Sequence, residues 1–286
     1  APSIGYMDYS AFRMVRDSAG AVLMVFLLAA ACSDPVLTKR YNQEMVFVGL
    51  LLANRISFVT RDIFQAMIPK NDSLPVHPLL CPAIYMSQGL LYHIGFAYAM
   101  YLAIAHFQQA RRAKMFSQTI WMGVTTVLAI LLFLIHAVTG KQYAIYNCCC
   151  APLNIRANSM FALVDIAIHA AAVVLSLYSF FRATGVHRVV PLALLVFSIS
   201  TFPYVFADFW ITDFDTGRRK PESWHSYLWD AFFSRGDAFC LVLFVGLLVK
   251  DTRFRLVLRS KLRKATRGET VLMEEELISA SEIITE

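Results

Sequence analysis

The sequence predicts an all-α membrane protein, a seven-transmembrane helix bundle followed by a short amphipathic helix. Three observations carry that prediction. Of the 286 residues 58% are hydrophobic and only 16% charged, against about a quarter charged in a soluble domain. The apolar residues gather into seven stretches, each close to the roughly 20 residues that cross about 30 Å of hydrocarbon. The basic residues between the stretches favour one side of an alternating chain.

The stretches run Ser18 to Cys32 with an upstream extension, Met45 to Ile68, Pro82 to Ala105, Ile120 to Val138, Ser159 to Phe181, Val189 to Ile211 and Tyr227 to Val249. The third to sixth are the clearest. The second carries Arg55, Arg61 and Asp62, and the seventh Asp230, Arg235 and Asp237. Nothing before Asp17 reads as a cleavable signal peptide. Residues 1–264 make one bundle with its juxtamembrane helix, and residues 265–286 an acidic tail without expected structure.

Lys39, Arg40, Arg111, Arg112, Lys114, Arg182, Arg188 and the basic run from Lys250 to Arg267 fall on one side of these spans. They outnumber Arg13, Arg16, Lys70, Lys141, Arg156 and Arg218 to Lys220 on the other. The tail side is therefore expected in the cytoplasm, and the N-terminus outside, as in a multi-pass plasma-membrane protein. Cys81 and the triplet Cys148, Cys149 and Cys150 then fall in outer loops, where disulfides persist. A bridge from Cys81 to one of the three is expected, with the partner open. Asn71-Asp72-Ser73 is a glycosylation acceptor on the same side. No CxxC pair suggests zinc, and no cofactor is expected.

Ionisable residues inside spans normally face the bundle interior. Asp165 lies about two turns, roughly 10 Å, from the outer end of the fifth span. His169, four residues on, shares its face. The pair reads either as a polar anchor for a ligand or as an internal lock on a neighbouring helix. Tyr92, Phe96, Phe202, Tyr204 and Phe206 either line a pocket or pack. Arg61, Asp62, Asp208, Asp230, Arg235 and Asp237 cluster toward the outer end and read as inter-helix ion pairs. Arg55, deeper and beside Asn54, needs a carboxylate or backbone carbonyls that the sequence does not name. After the seventh span Phe254, Leu256, Val257, Leu258 and Leu262 interleave with arginines and lysines, as in a helix lying on anionic lipid at the inner leaflet. Beyond it, Ser279, Ser281 and Thr285 follow the acidic run Glu274 to Glu276, the pattern of a kinase substrate.

Several short segments resemble motifs of the rhodopsin family of serpentine receptors, fish-type odorant receptors in particular. Leu51-Leu52-Ala53-Asn54 stands where the family reads L-x-A-D, and Ala99-Met100-Tyr101-Leu102-Ala103-Ile104 where it reads D/E-R-Y-x-A-I. Trp121 falls early in the fourth span. Phe202-Pro203-Tyr204 resembles the sixth-helix kink, and Lys250-Asp251-Thr252-Arg253-Phe254-Arg255 the opening of the amphipathic helix. Two departures stand out. Met100 occupies the place of the arginine that meets the G protein, and Leu243 to Leu247 replaces N-P-x-x-Y. The resemblance implies a chemosensory receptor, not an enzyme, that binds a small ligand in the outer half of the bundle and signals through a heterotrimeric G protein. With Met100 lacking charge, Arg111, Arg112 and Lys114 in the second inner loop are the expected G-protein contact.

Other classes fit less of the chain. His93 and His106, with His136 and His187 opposite, suggest a haem-binding electron carrier only loosely. A transporter would suit the charged spans, but no internal repeat is seen. No lysine lies within a span to hold retinal. The net charge of +6 is accounted for by the inner loops and tail, so nucleic-acid binding is not expected.

Overall fold

The computed structural model describes residues 6–67, 80–112, 117–139, 143–146, 149–152, 155–211 and 236–267. Side chains are described chiefly for 14–60, 90–112, 117–134, 166–201 and 236–263. These residues are almost entirely helical. The elements in order are α1 (Tyr6–Cys32), α2 (Pro35–Arg40), α3 (Asn42–Met67), α4 (Leu80–Ala110), α5 (Gln118–Thr139), β1 (Tyr143–Tyr146), β2 (Cys149–Pro152), α6 (Ile155–Arg182), α7 (Val189–Ile211), α8 (Asp237–Lys250) and α9 (Thr252–Arg267). A 3-10 turn, Gly185–Arg188, joins α6 to α7.

Local chemistry explains the breaks. Asp34 is extended and caps α2, accepting from the amides of Val36 at 2.7 Å and Leu37 at 3.2 Å, with Pro35 at the first helical position. Gly236 takes a left-handed φ of 89° immediately before α8. A Cβ there would lie 2.8 Å from Leu51 Cδ2, so both backbone and space require glycine.

The long helices form a ring. α1 packs on α3, α3 on α4, α4 on α6, α6 on α7, α7 on α8, and α8 returns to α1. α5 lies outside the ring against α4. α4, the longest helix at 31 residues, also touches α7. β1 and β2 pair antiparallel, Tyr143 opposite Pro152 and Tyr146 opposite Cys149, and this hairpin sits on α4. The hairpin marks one end of the bundle, the hairpin end, and α9 the other, the tail end.

Several helices bury one face and expose apolar residues on the other. α1 buries Met24, Leu27 and Ala31 and exposes Val15, Val22 and Val25; α8 buries Leu243 and Leu247 and exposes Leu241, Val245 and Val249. Exposed Val124, Leu128 and Leu131 line α5, and Val174 and Phe181 project from α6. By length and composition, Met14–Cys32 and Leu90–Ala110 are apolar enough to cross a membrane among the described residues. That weakly favours membrane association.

α7 begins and ends where the hydropathy places it, and α5 agrees within two residues at each end. α1 begins well before Ser18, because its polar first half is helical through Asp17. The described part of α8 starts at Asp237, not Tyr227; residues 212–235 lie outside the described set, as do Asn71, Lys114 and Cys148. The hairpin is an addition to the expected all-α fold. Short extended segments with Tyr and Ile give no helical period, and its strands are only four residues long.

Candidate functional site

The tail end is stitched by charge. Arg253 Nε donates to Asp34 Oδ2 at 2.9 Å, and Arg40 Nη1 to Asp251 Oδ2 at 3.0 Å. The same Asp251 oxygen accepts the Tyr41 hydroxyl at 2.6 Å, while Asp251 Oδ1 caps the amide of Phe254 at 3.1 Å. The short linker helix α2 is thereby fixed to the junction of α8 and α9. Burial alone would raise the Asp34 carboxyl, but Arg253 and the two backbone amides outweigh it and hold the group below its ordinary value. Burial, and then the hydrogen bond to Asp251, push the Tyr41 phenol upward. Burial opposes charge on Arg40, and Asp251 more than restores it.

A second network lies deeper. Arg55 on α3 reaches Asp17 of α1 at 2.6 Å through Nη1 and Asp237 of α8 at 2.8 Å through Nη2. Arg16 also binds Asp17, at 2.8 Å. The Arg55 and Asp17 side chains are 5% and 1% exposed, so this is a desolvated network tying three helices. Gly20 permits it. A Cβ at Gly20 would lie 2.4 Å from Asp237 Oδ1. The partner that the sequence left unnamed for Arg55 is thus two acids. Asp17 gave no signal because it precedes the first apolar run.

Across the ring, the expected ligand-site residues gather around His169. His169 of α6 is buried, its ring edge-on to Phe96 of α4 at 4.3 Å between centroids. Phe96 meets Tyr92, one turn nearer the hairpin end, at 4.0 Å. Phe197 of α7 lies 6.0 Å from Phe96 and 5.9 Å from His169. The rings continue to Phe239 of α8, 6.4 Å from Phe197, and to Phe47 of α3, 4.9 Å from Phe239. His169, Phe96 and Tyr92 therefore lie in one cluster, with His169 and Phe96 buried and Tyr92 half-buried. Asp165 stands on α6 one turn above His169, and Phe202, Tyr204 and Phe206 on the last turns of α7; their side chains lie outside the described set. Phe197, Phe239 and Phe47 were not singled out in the sequence. Phe197 sits five residues before Phe202 in an unbroken apolar run, where nothing marks one aromatic above another.

The arrangement is a packed aromatic cluster with the His169 imidazole buried in it. Among the described residues no three His, Cys, Asp or Glu side chains are grouped to hold a metal. His106 Nε2 lies 3.1 Å from Glu44 Oε1, committed to a carboxylate, and His93 lies edge-on to Tyr92 at 5.7 Å.

The remaining expected sites divide similarly. Arg111 and Arg112 are exposed at the end of α4, Arg112 at a left-handed φ of 54°, and the Arg111 guanidinium lies 5.6 Å from the Phe107 ring centroid. Cys81 is the second residue of α4, and Cys149 and Cys150 belong to β2, the strand that sits on that helix; their side chains are outside the described set. No family model and no curated protein matches the chain.

Proposed function

We propose that the chain is a seven-span serpentine receptor of the plasma membrane that binds a small, largely apolar ligand at the hairpin end and signals across the membrane from the tail end. The observation that carries this reading is the closed ring of helices with the hairpin between α5 and α6 laid on α4. The belt of exposed valine, leucine and phenylalanine around α1, α5, α6 and α8 supports a lipid surround, since such an area is costly in water. In this reading the basic residues of α9 meet anionic lipid at the inner leaflet, while Phe254, Val257 and Leu258, expected on lipid, are instead buried against the bundle; Arg111, Arg112 and Lys114 face a heterotrimeric G protein. A bridge from Cys81 to the Cys148–Cys150 triplet and a glycan on Asn71 mark the outer side.

The ligand is held over the floor of Phe96, His169 and Phe197, with Asp165 as its polar anchor. The test is a cell-surface ligand screen on the wild type and Asp165→Asn, with epitopes at both termini. A C-terminal epitope reachable on intact cells overturns the topology. A ligand whose response is unchanged in both Asp165→Asn and His169→Phe removes the proposed site.

A further inference from the structure

We infer that Glu44 and His106 form a protonation-dependent latch that holds the tail end of α4 against α3, closed in acid and slackened as the imidazole loses its proton.

The contact joins the first turn of α3 to the last turns of α4, with Nε2 to Oε1 at 3.1 Å and side-chain exposures of 14% and 7%. One turn away Gln43 Nε2 donates to the Tyr101 hydroxyl at 2.9 Å. Two polar rungs thus join these helices at this end, one neutral and one titratable. The pairs made by Arg40, Arg55 and Arg253 keep their cation at every pH a cell meets, because a guanidinium does not titrate there. Imidazole alone among ordinary side chains changes charge between about pH 5 and pH 8. With the proton, the rung is an ion pair in a poorly solvated place; without it, the neutral imidazole keeps a hydrogen bond to the carboxylate but loses the attraction of the second charge.

The surroundings leave Glu44 as the carboxylate to which His106 answers. α3 brings no other acid to this end, α4 contains none, and α5 has no charged side chain, its one histidine, His136, standing at the opposite end. α6 contributes Tyr178 and Arg182, the tail half of α7 nothing titratable, and the turn before it His187 and Arg188. The other acids at this end, Asp34 and Asp251, are already taken by Arg253 and Arg40.

The latch has something to move. Phe107, next to His106, packs on Tyr178 of α6 at 5.0 Å and carries Arg111 over its ring. Tyr101 stacks on Trp121 of α5 at 6.2 Å. Slackening the rung loosens the last turn of α4 and the Arg111–Arg112 segment that follows. Only in assigning that segment to G-protein contact does the inference rest on the receptor reading; the latch itself does not.

The test is hydrogen–deuterium exchange of the purified full chain in nanodiscs, at about pH 5.5 and about pH 7.5, which bracket imidazole titration. Rates are corrected for intrinsic exchange and read over residues 102–110. The expected result is about twofold to fivefold slower exchange at the acid pH, the range that the attraction of one ion pair adds. His106→Gln and Glu44→Gln each abolish the pH difference, while His106→Arg keeps slow exchange at both values. An α7 segment serves as the control for global change. A wild type whose pH ratio equals that of either glutamine variant overturns the latch. The measurement needs no ligand and no G protein, so failure of the receptor reading leaves its outcome intact.

Discussion

The two sides of the ring are built from different forces. On the α1, α3 and α8 side, arginines and carboxylates meet in the interior, Arg55 bridging Asp17 and Asp237. On the α4, α6 and α7 side, the same interior is filled by rings around His169 and Phe96. The contrast separates two tasks. Ion pairs out of water are directional and costly to break, so they fix three helices in one register. Ring packing is adaptable and tolerates a change of shape at moderate cost. A ligand that must be admitted and released is better received by the second side than by the first.

The largest break in this comparison is Arg55→Leu. It leaves Asp17 with Arg16 as its cation and takes the guanidinium away from Asp237, and a loss of up to about 3–5 kcal/mol is expected from breaking the buried pairs. Thermal unfolding in detergent measures it. Adding Asp237→Asn to the same chain should recover part of the loss, because the carboxylate that loses the guanidinium is gone. If Arg55→Leu and Asp237→Asn each melt like wild type, the network carries no structural weight.

A smaller effect is expected at Gly246, which sets the distance between α7 and α8. An alanine Cβ would lie 2.4 Å from Val189 Cγ1, so Gly246→Ala should cost about 1–3 kcal/mol by overpacking. Val189→Ala in the same chain should recover most of it, and the absence of that recovery would place the clash elsewhere.

At the tail end, Asp34→Ala removes both the cap of α2 and the Arg253 pair, with a loss of about 1 kcal/mol or somewhat more. The effect depends on pH with a defined sign. The Asp34 carboxyl is held below its ordinary value in the fold, so its contribution is complete above the ordinary carboxylate value of about 4. It fades as pH falls through the lowered native value. The stability gap between wild type and Asp34→Ala should therefore be flat from neutral pH down to about 4 and close below it. A gap that instead opens in acid contradicts the assignment.

The aromatic side should respond least. Phe197→Leu is expected to cost less than about 1.5 kcal/mol, as a hydrophobic exchange in a tolerant cluster. If it destabilises as much as Arg55→Leu, the two sides are not differently built.

How much of this was legible follows from range in sequence. α5 and α7 could be placed because an unbroken apolar run is its own evidence. The pairing of Tyr92, Phe96 and His169 was partly legible, since Tyr92 and Phe96 are one turn apart and His169 lies in the next apolar run but one. The partners of Arg55 were not legible. Asp17 lies 38 residues away, in a stretch that hydropathy alone assigns to water. The clamp from Asp34 to Arg253 spans 219 residues, and no local pattern reports such a contact. Where identity must be read at long range, as for Phe197 and Phe239, one phenylalanine looks like another.

The clamp at the tail end also bears on how the chain is made. Asp34 and Arg40 emerge from the ribosome more than two hundred residues before Arg253 and Asp251, which lie 219 and 211 positions further along. Through most of synthesis the first linker has no partner, and α1 is held chiefly by α3. The ring closes only when the final turn of α8 has been translated. A chain stopped before Asp251 would carry every long helix yet lack its fastening, and is expected to be retained by quality control and degraded.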